Sequence, residues 1–153
     1  MPDFRARPSV VPALSYRDPM AAFEWLQTAF GFEPAMLLTD AEGKLAHSEM
    51  VFGNGWIMVG SEWSASHKSP ASLGGQCTQS VNVQVETDID GHCERARAAG
   101  AEILMEPEDQ FYGDRTYRAR DLEGHIWTFG QTVAEVAPET WEAGTGLKTK
   151  LWT

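Results

Sequence analysis

The sequence has only two cysteines, Cys77 and Cys93, in 153 residues. They form no Cys-x-x-Cys pair, so a disulfide framework and a cysteine zinc site are both disfavoured, and free thiols in a reducing compartment are expected. Apolar runs are short, and none approaches the roughly 20 residues needed to span a bilayer. The opening segment, Met-Pro-Asp-Phe-Arg-Ala-Arg-Pro, has no apolar h-region, so no secretory leader is read there and the cytoplasm is the expected compartment. Basic residues are scarce: 12 Lys and Arg stand against 22 Asp and Glu, for a net charge of −10. Nucleic-acid binding needs clustered cations that release counterions, so it is disfavoured. No nucleophile elbow, phosphate-binding glycine loop or dinucleotide fingerprint occurs, and no cofactor is expected.

What remains is an ordinary globular composition, 42% hydrophobic and 22% charged. Val10 to Tyr16 reads as a strand. Asp18-Pro19 starts a helix, with Asp at the cap and Pro in the first turn. Phe23, Leu26 and Phe30 give that helix an apolar face, and Gly31 ends it. Strands are expected at Glu33–Thr39, Lys44–Phe52 and Trp56–Ser61. Asp40–Gly43 is the first turn, and Asn54-Gly55 is read as a hairpin signal, since both positions tolerate φ > 0. After a Ser- and Gly-rich stretch the order repeats. Ser80–Val85 is a strand, Asp88 caps a helix closed by Gly100, and Glu102–Glu106 is a strand that Pro107 should stop. Arg115–Arg120 and His125–Gln131 follow, joined by the turn Asp121–Gly124.

This is an internal repeat. Asp18 to Gly31 spans 13 positions and Asp88 to Gly100 spans 12. The expected organisation is an arm (1–8), a first βαβββ module (9–61), a linker (62–79), a second module (80–131) and a C-terminal extension (132–153), all in one structural domain. The extension carries Trp141, Leu147, Leu151 and Trp152, which is too apolar for a simple tail, so it is expected to pack on the domain or on a second subunit.

The segments Gly100 to Ile103, Glu106 to Arg115 and Arg120 to Trp127, together with Tyr16 to Asp18 and Phe30 to Phe32, resemble the vicinal oxygen chelate superfamily, which includes the glyoxalase, bleomycin-resistance and extradiol dioxygenase proteins. The likeness spans roughly residues 9–131. It implies an α+β fold in which paired βαβββ modules form a U-shaped mixed sheet around a cavity, and it implies a homodimer. Metal-using members place four His or Glu ligands on the first and last strands of the modules. Those positions fall here on Val11, Met58, Ser80 and Thr128, a set that suits no divalent cation. The neighbours Val10, Pro12, Ile57, Val59, Gln79, Val81, Trp127 and Phe129 do not rescue it. No metal site is therefore expected.

If Ser80 and Thr128 face the cavity, strand alternation brings Asn82, Gln84 and Ile126 with them. The cavity would then be lined by Ser80, Asn82, Gln84 and Thr128 together with Trp56 and Met58, which is hydrogen-bonding groups beside apolar surface. His47 and Glu49 share one strand face and could hold a ligand or act as acid and base, or simply form a solvated edge. Arg115, beside Tyr112 and Tyr117, could clamp an anionic or carbonyl group, or could anchor its loop to Asp109 or Asp121. His125 reads as a partly buried structural histidine, Trp25 as core or interface, and His67 and His92 as solvated. The expected function is a metal-independent protein that binds a small organic molecule for sequestration or carriage. The alternative is an enzyme of the same superfamily, metal-independent or with a non-standard metal site at His47 and Glu49. The expected partners are a small-molecule ligand and a second copy of the chain, with no nucleic acid and no membrane.

Overall fold

The structure is a computed structural model that describes residues 3–152. The first module holds β1 (Ala13–Tyr16), α1 (Pro19–Phe30), β2 (Glu33–Thr39), β3 (Leu45–Phe52) and β4 (Gly55–Ser61). The second holds β5 (Ser80–Gln84), α2 (Ile89–Ala98), β6 (Glu102–Asp109), β7 (Asp114–Arg120) and β8 (Ile126–Thr132). Each module is a mixed four-stranded sheet, in the orders β1-β4-β3-β2 and β5-β8-β7-β6, with the first and last strands parallel. Among the described residues no ladder joins the two sheets. No helix of the described residues is long and apolar enough to cross a membrane.

Two local expectations are corrected. Pro107 does not stop β6, which continues to Asp109 across a register shift between Met105 and Glu108. The strand is at the sheet edge, where an absent N–H breaks no ladder bond. The β3–β4 turn is Gly53-Asn54, closed by the Phe52–Gly55 pair. Positive φ is confined there to Gly53 (56°), the pattern of a turn with glycine first, and neither Asn54 nor Gly55 adopts it. In the extension, α3 (Pro138–Thr145) forms beyond β8, and Trp141 Nε1 donates to Thr149 Oγ1 at 2.7 Å. Trp141 approaches Phe111 at 6.4 Å, while Leu151 and Trp152 remain exposed.

One core serves both modules. Asp18 caps α1 through the Ala21 N–H, and Leu26, Ala29 and Phe30 on its inner face are fully buried. Phe30 packs on Trp127 and Phe129 of β8, with ring centres 5.4 and 4.7 Å away. Polar contacts reinforce the seam. Trp25 Nε1 donates to Ala99 O at the end of α2, and Arg95 Nε and Nη2 donate to Thr28 O and Gln27 O. The turn Asp121–Gly124 grips the first module. Asp121 Oδ2 accepts from Tyr16 Oη at 2.7 Å and from Trp127 Nε1 at 3.0 Å. Glu123 accepts from the backbone N–H groups of Arg17 and Asp18 and from Ser69 Oγ. His125 Nε2 lies 2.8 Å from Ser15 O, and its ring leans on Tyr16. Burial, and secondly the Asp121 charge, hold the Tyr16 phenol well above its ordinary pKa.

Candidate functional site

Because the shared core consumes the helix-bearing faces, each sheet presents its other face outward. On the second sheet alternation places Ser80, Asn82 and Gln84 outward and exposed, while Val81 and Val83 pack against the core. Thr128 pairs with Asn82 and stands on the same outward face. Arg118 Nε donates to Thr128 Oγ1 at 3.1 Å, and Gln84 Nε2 donates to Thr132 Oγ1 at 3.0 Å. This face is a bare polar surface.

On the first sheet the corresponding face carries Ala13, Met58, Glu49, His47, Val51 and Trp56, brought together by the Ala13–Met58, Glu49–Met58 and Val51–Trp56 pairs. It is not bare. The N-terminal arm makes a single 3-10 turn at Phe4–Ala6, capped by Asp3, and lies across it. Phe4 packs on Trp56 at 5.8 Å, and Arg7 Nη2 lies 2.7 Å from Glu49 Oε2. The arm read as a loose segment in the sequence is thus seated, and Glu49 beneath it is 2% exposed. His47 Nε2 lies 3.2 Å from Glu49 Oε1, so the pair does share a face as alternation requires.

Between the modules lies a cleft of about 1150 Å³. One wall is the β3–β4 hairpin from Val51 to Ile57, with Gly31 to Glu33, the arm residue Pro8, and Val10 and Pro12 beside it. The other is the strand from Val81 to Val85, continuing to Thr87. β5 is an edge strand, so residues of both its faces reach the cleft. The surface combines Phe32, Phe52, Trp56 and valine side chains with the amides of Asn54, Asn82 and Gln84, and Glu33 and Glu86 are the acids at its rim. The lining thus mixes apolar contact area with hydrogen-bonding groups in similar measure.

Of the residues expected to bind ligand, Trp56, Asn82 and Gln84 line this cleft. Met58, His47, Glu49, Ser80 and Thr128 stand outside it, on the outward faces of the sheets. Arg115 and Tyr117 are placed elsewhere altogether. Tyr117 pairs with Phe129, is fully buried, and faces α2. Its hydroxyl meets His92 Nδ1 at 2.5 Å, and burial raises its pKa. Arg115, two residues away on the same face, pairs with Asp90 of α2 at 2.9 Å and with Asp109 at 3.1 Å. It anchors its strand and does not reach the cleft. His92, expected in solvent, is half-buried among Phe30, Phe52 and Phe129. Its Nε2 lies 2.8 Å from Phe30 O, and desolvation lowers its pKa.

The four metal positions implied by the family resemblance do not fit a divalent ion. Valine offers no lone pair, a thioether is a poor ligand for hard or borderline cations, and two neutral hydroxyls do not compensate. Among the described residues one trio of ligand-type side chains lies close together: Cys93, Glu94 and Glu106. The Arg97 guanidinium already binds both carboxylates, and burial pushes the Cys93 thiol up to about 11, against the thiolate a metal needs.

A sequence model of the Glyoxalase/Bleomycin resistance protein/Dioxygenase superfamily matches residues 10–129. An uncharacterized protein of Mycobacterium bovis is 31% identical over 133 residues, covering 84% of this chain and 86% of its own. The crystal structure of TioX from Micromonospora sp. ML1 superposes with a TM-score of 0.67 at 36% identity, over 82% of this chain and 99% of that one. The fosfomycin resistance protein FosX of Listeria monocytogenes, at 18% identity and a TM-score of 0.59 over 81% of this chain and 92% of its own, shares the fold. Two βαβββ modules, the Gly-Asp-Arg and Asp-x-x-Gly-His segments in their expected places, and these matches agree: the chain belongs to the Glyoxalase/Bleomycin resistance protein/Dioxygenase superfamily.

Proposed function

We propose that this protein binds a small, partly aromatic organic molecule in the cleft between its modules, without a metal ion, and sequesters or carries it. The observation that carries this reading is the cleft itself: about 1150 Å³, walled by aromatic and aliphatic side chains, with amides at Asn82 and Gln84 to orient a ligand. The unsuitability of Val11, Met58, Ser80 and Thr128 as ligands supports the metal-independent part. Membership of a superfamily whose members are often dimers supports a homodimer. The test is titration of chelator-treated protein with a panel of aromatic compounds, followed by tryptophan fluorescence. Saturable binding by the wild type, weakened when the larger side chain of Asn82→Trp intrudes on the cleft wall, is expected. Binding indifferent to Asn82→Trp would refute it.

One observation favours a second reading, in which the protein is an enzyme. A buried carboxylate and an imidazole 3.2 Å apart, Glu49 and His47, are an acid–base pair in outline. Metal analysis separates the two. About one bound divalent ion per chain, lost with His47→Ala, would favour the enzyme.

A further inference from the structure

The arm that covers the first sheet does so with a cation. Glu49 is 2% exposed, faces the outward side of β3, and has one oxygen on His47. Its other oxygen, Oε2, is buried and lies 2.7 Å from Arg7 Nη2, but no hydrogen bond of acceptable geometry reaches it. The Arg7 guanidinium sits 5.1 Å from the Phe4 ring centre and 5.8 Å from that of Trp56. A planar cation against two aromatic rings and a buried carboxylate is how proteins hold organic cations. Here the chain supplies the cation itself, and supplies it imperfectly, since Oε2 is left without a hydrogen bond.

This site adjoins the cleft. Trp56 belongs to both, and Pro8, the residue after Arg7, is part of the cleft wall. A molecule lying in the cleft therefore needs only to reach past Trp56 to arrive at Glu49. The net charge of −10 draws cations toward it.

We propose that Glu49 and Trp56 form a subsite for the positively charged head of the cleft ligand, a guanidinium, amidinium or protonated amine on an apolar body, and that Arg7 is its built-in occupant, displaced on binding. This rests on the reading of the cleft as a small-molecule site and adds the ligand's charge class. Arg7 is 35% exposed while Glu49 is buried, so an incoming cation that keeps the carboxylate paired can exchange with the guanidinium, whereas loss of Arg7 with no replacement is disfavoured. The ion pair and the stacking together hold the subsite closed by about tenfold, which weakens the apparent affinity of an outside cation by the same factor.

The probes are benzamidine and its neutral analogue benzamide, titrated calorimetrically into wild type, Arg7→Ala, the double variant Arg7→Ala/Glu49→Gln, and Asn82→Trp. Arg7→Ala should bind benzamidine about tenfold more tightly than wild type, with benzamide unchanged, and adding Glu49→Gln should abolish the gain. If Arg7→Ala does not fold, Arg7→Gln removes the charge while keeping most of the side chain. No gain, an equal gain for benzamide, or a gain that survives Glu49→Gln overturns the proposal. Probes that bind the wild type and are weakened in Asn82→Trp, with no preference for the cation in any variant, overturn the subsite and leave the cleft reading standing. Failure of both probes to bind any variant overturns both.

Discussion

Replacing Asp121 with alanine should destabilise the fold more than any surface charge change, because this one carboxylate ties the modules together. Its Oδ2 accepts from Tyr16 Oη and Trp127 Nε1, both on side chains no more than 1% exposed, and its Oδ1 accepts from the backbone N–H groups of Glu123 and His125. In Asp121→Ala two buried donors lose their acceptor at a cost of about 1–3 kcal/mol each. The two turn N–H groups lie nearer the surface and recover part of their loss from water. A total of roughly 3–5 kcal/mol follows, or a fall in Tm of about 6–20 °C for a chain of this size. Asp121→Asn keeps the shape and one carbonyl acceptor but turns the other position into a donor facing donors, and should cost about 1–3 kcal/mol. Urea unfolding followed by tryptophan fluorescence at one fixed protein concentration measures both. A loss below about 1 kcal/mol for Asp121→Ala would refute the reasoning.

His92 should make stability fall on the acid side. Its folded pKa lies below its ordinary 6.5, mainly through desolvation, so the unfolded chain binds the proton more readily. Stability is then fully present above about pH 6.5 and declines as pH drops through that value. His92→Gln should flatten the slope of unfolding free energy between about pH 6.5 and pH 5, and an unchanged slope would count against it. Gly113→Ala should cost about 2 kcal/mol or more in the same assay, since Gly113 has φ of 100° and an added Cβ would meet Ala134 O at 2.2 Å. Arg115→Ala should lower Tm slightly, less so in high salt, and leave ligand titrations unchanged, because its carboxylate partners stand on the helix side of the sheet. A large loss of binding in that variant would show that Arg115 reaches the ligand.

The repeated strand–helix–strand–strand–strand order was legible because each helix has its cap and apolar stripe, at Asp18 with Leu26 and at Asp88 with Cys93, and because the strands alternate. Alternation also placed Ser80, Asn82, Gln84 and Thr128 on one face. It could not say which face of β7 looks outward, and so both readings of Arg115, ligand clamp and anchor to Asp109, stayed open until the Asp109 pair was seen. Pro107 misled because an edge strand tolerates what an inner strand does not, and edge position is a property of the whole sheet. His92 stands beside Cys93, with Ile89 and Ala96 one turn away on the buried stripe, so its half-burial was legible in the helical period; its partner, Phe30 O, comes from the other module and was not. The seating of the arm was illegible for the same reason. Phe4 and Arg7 carry a recognisable aromatic and cationic pairing, yet their partners Trp56 and Glu49 lie more than 40 positions away.

That the cleft holds an organic ligand without a metal is tested most directly by native mass spectrometry of chelator-treated protein equilibrated with a small-molecule extract. Wild type should retain about one organic molecule per chain with no divalent ion, and Asn82→Trp should retain less. Retention that requires an added divalent ion, or that persists equally in Asn82→Trp, would contradict it.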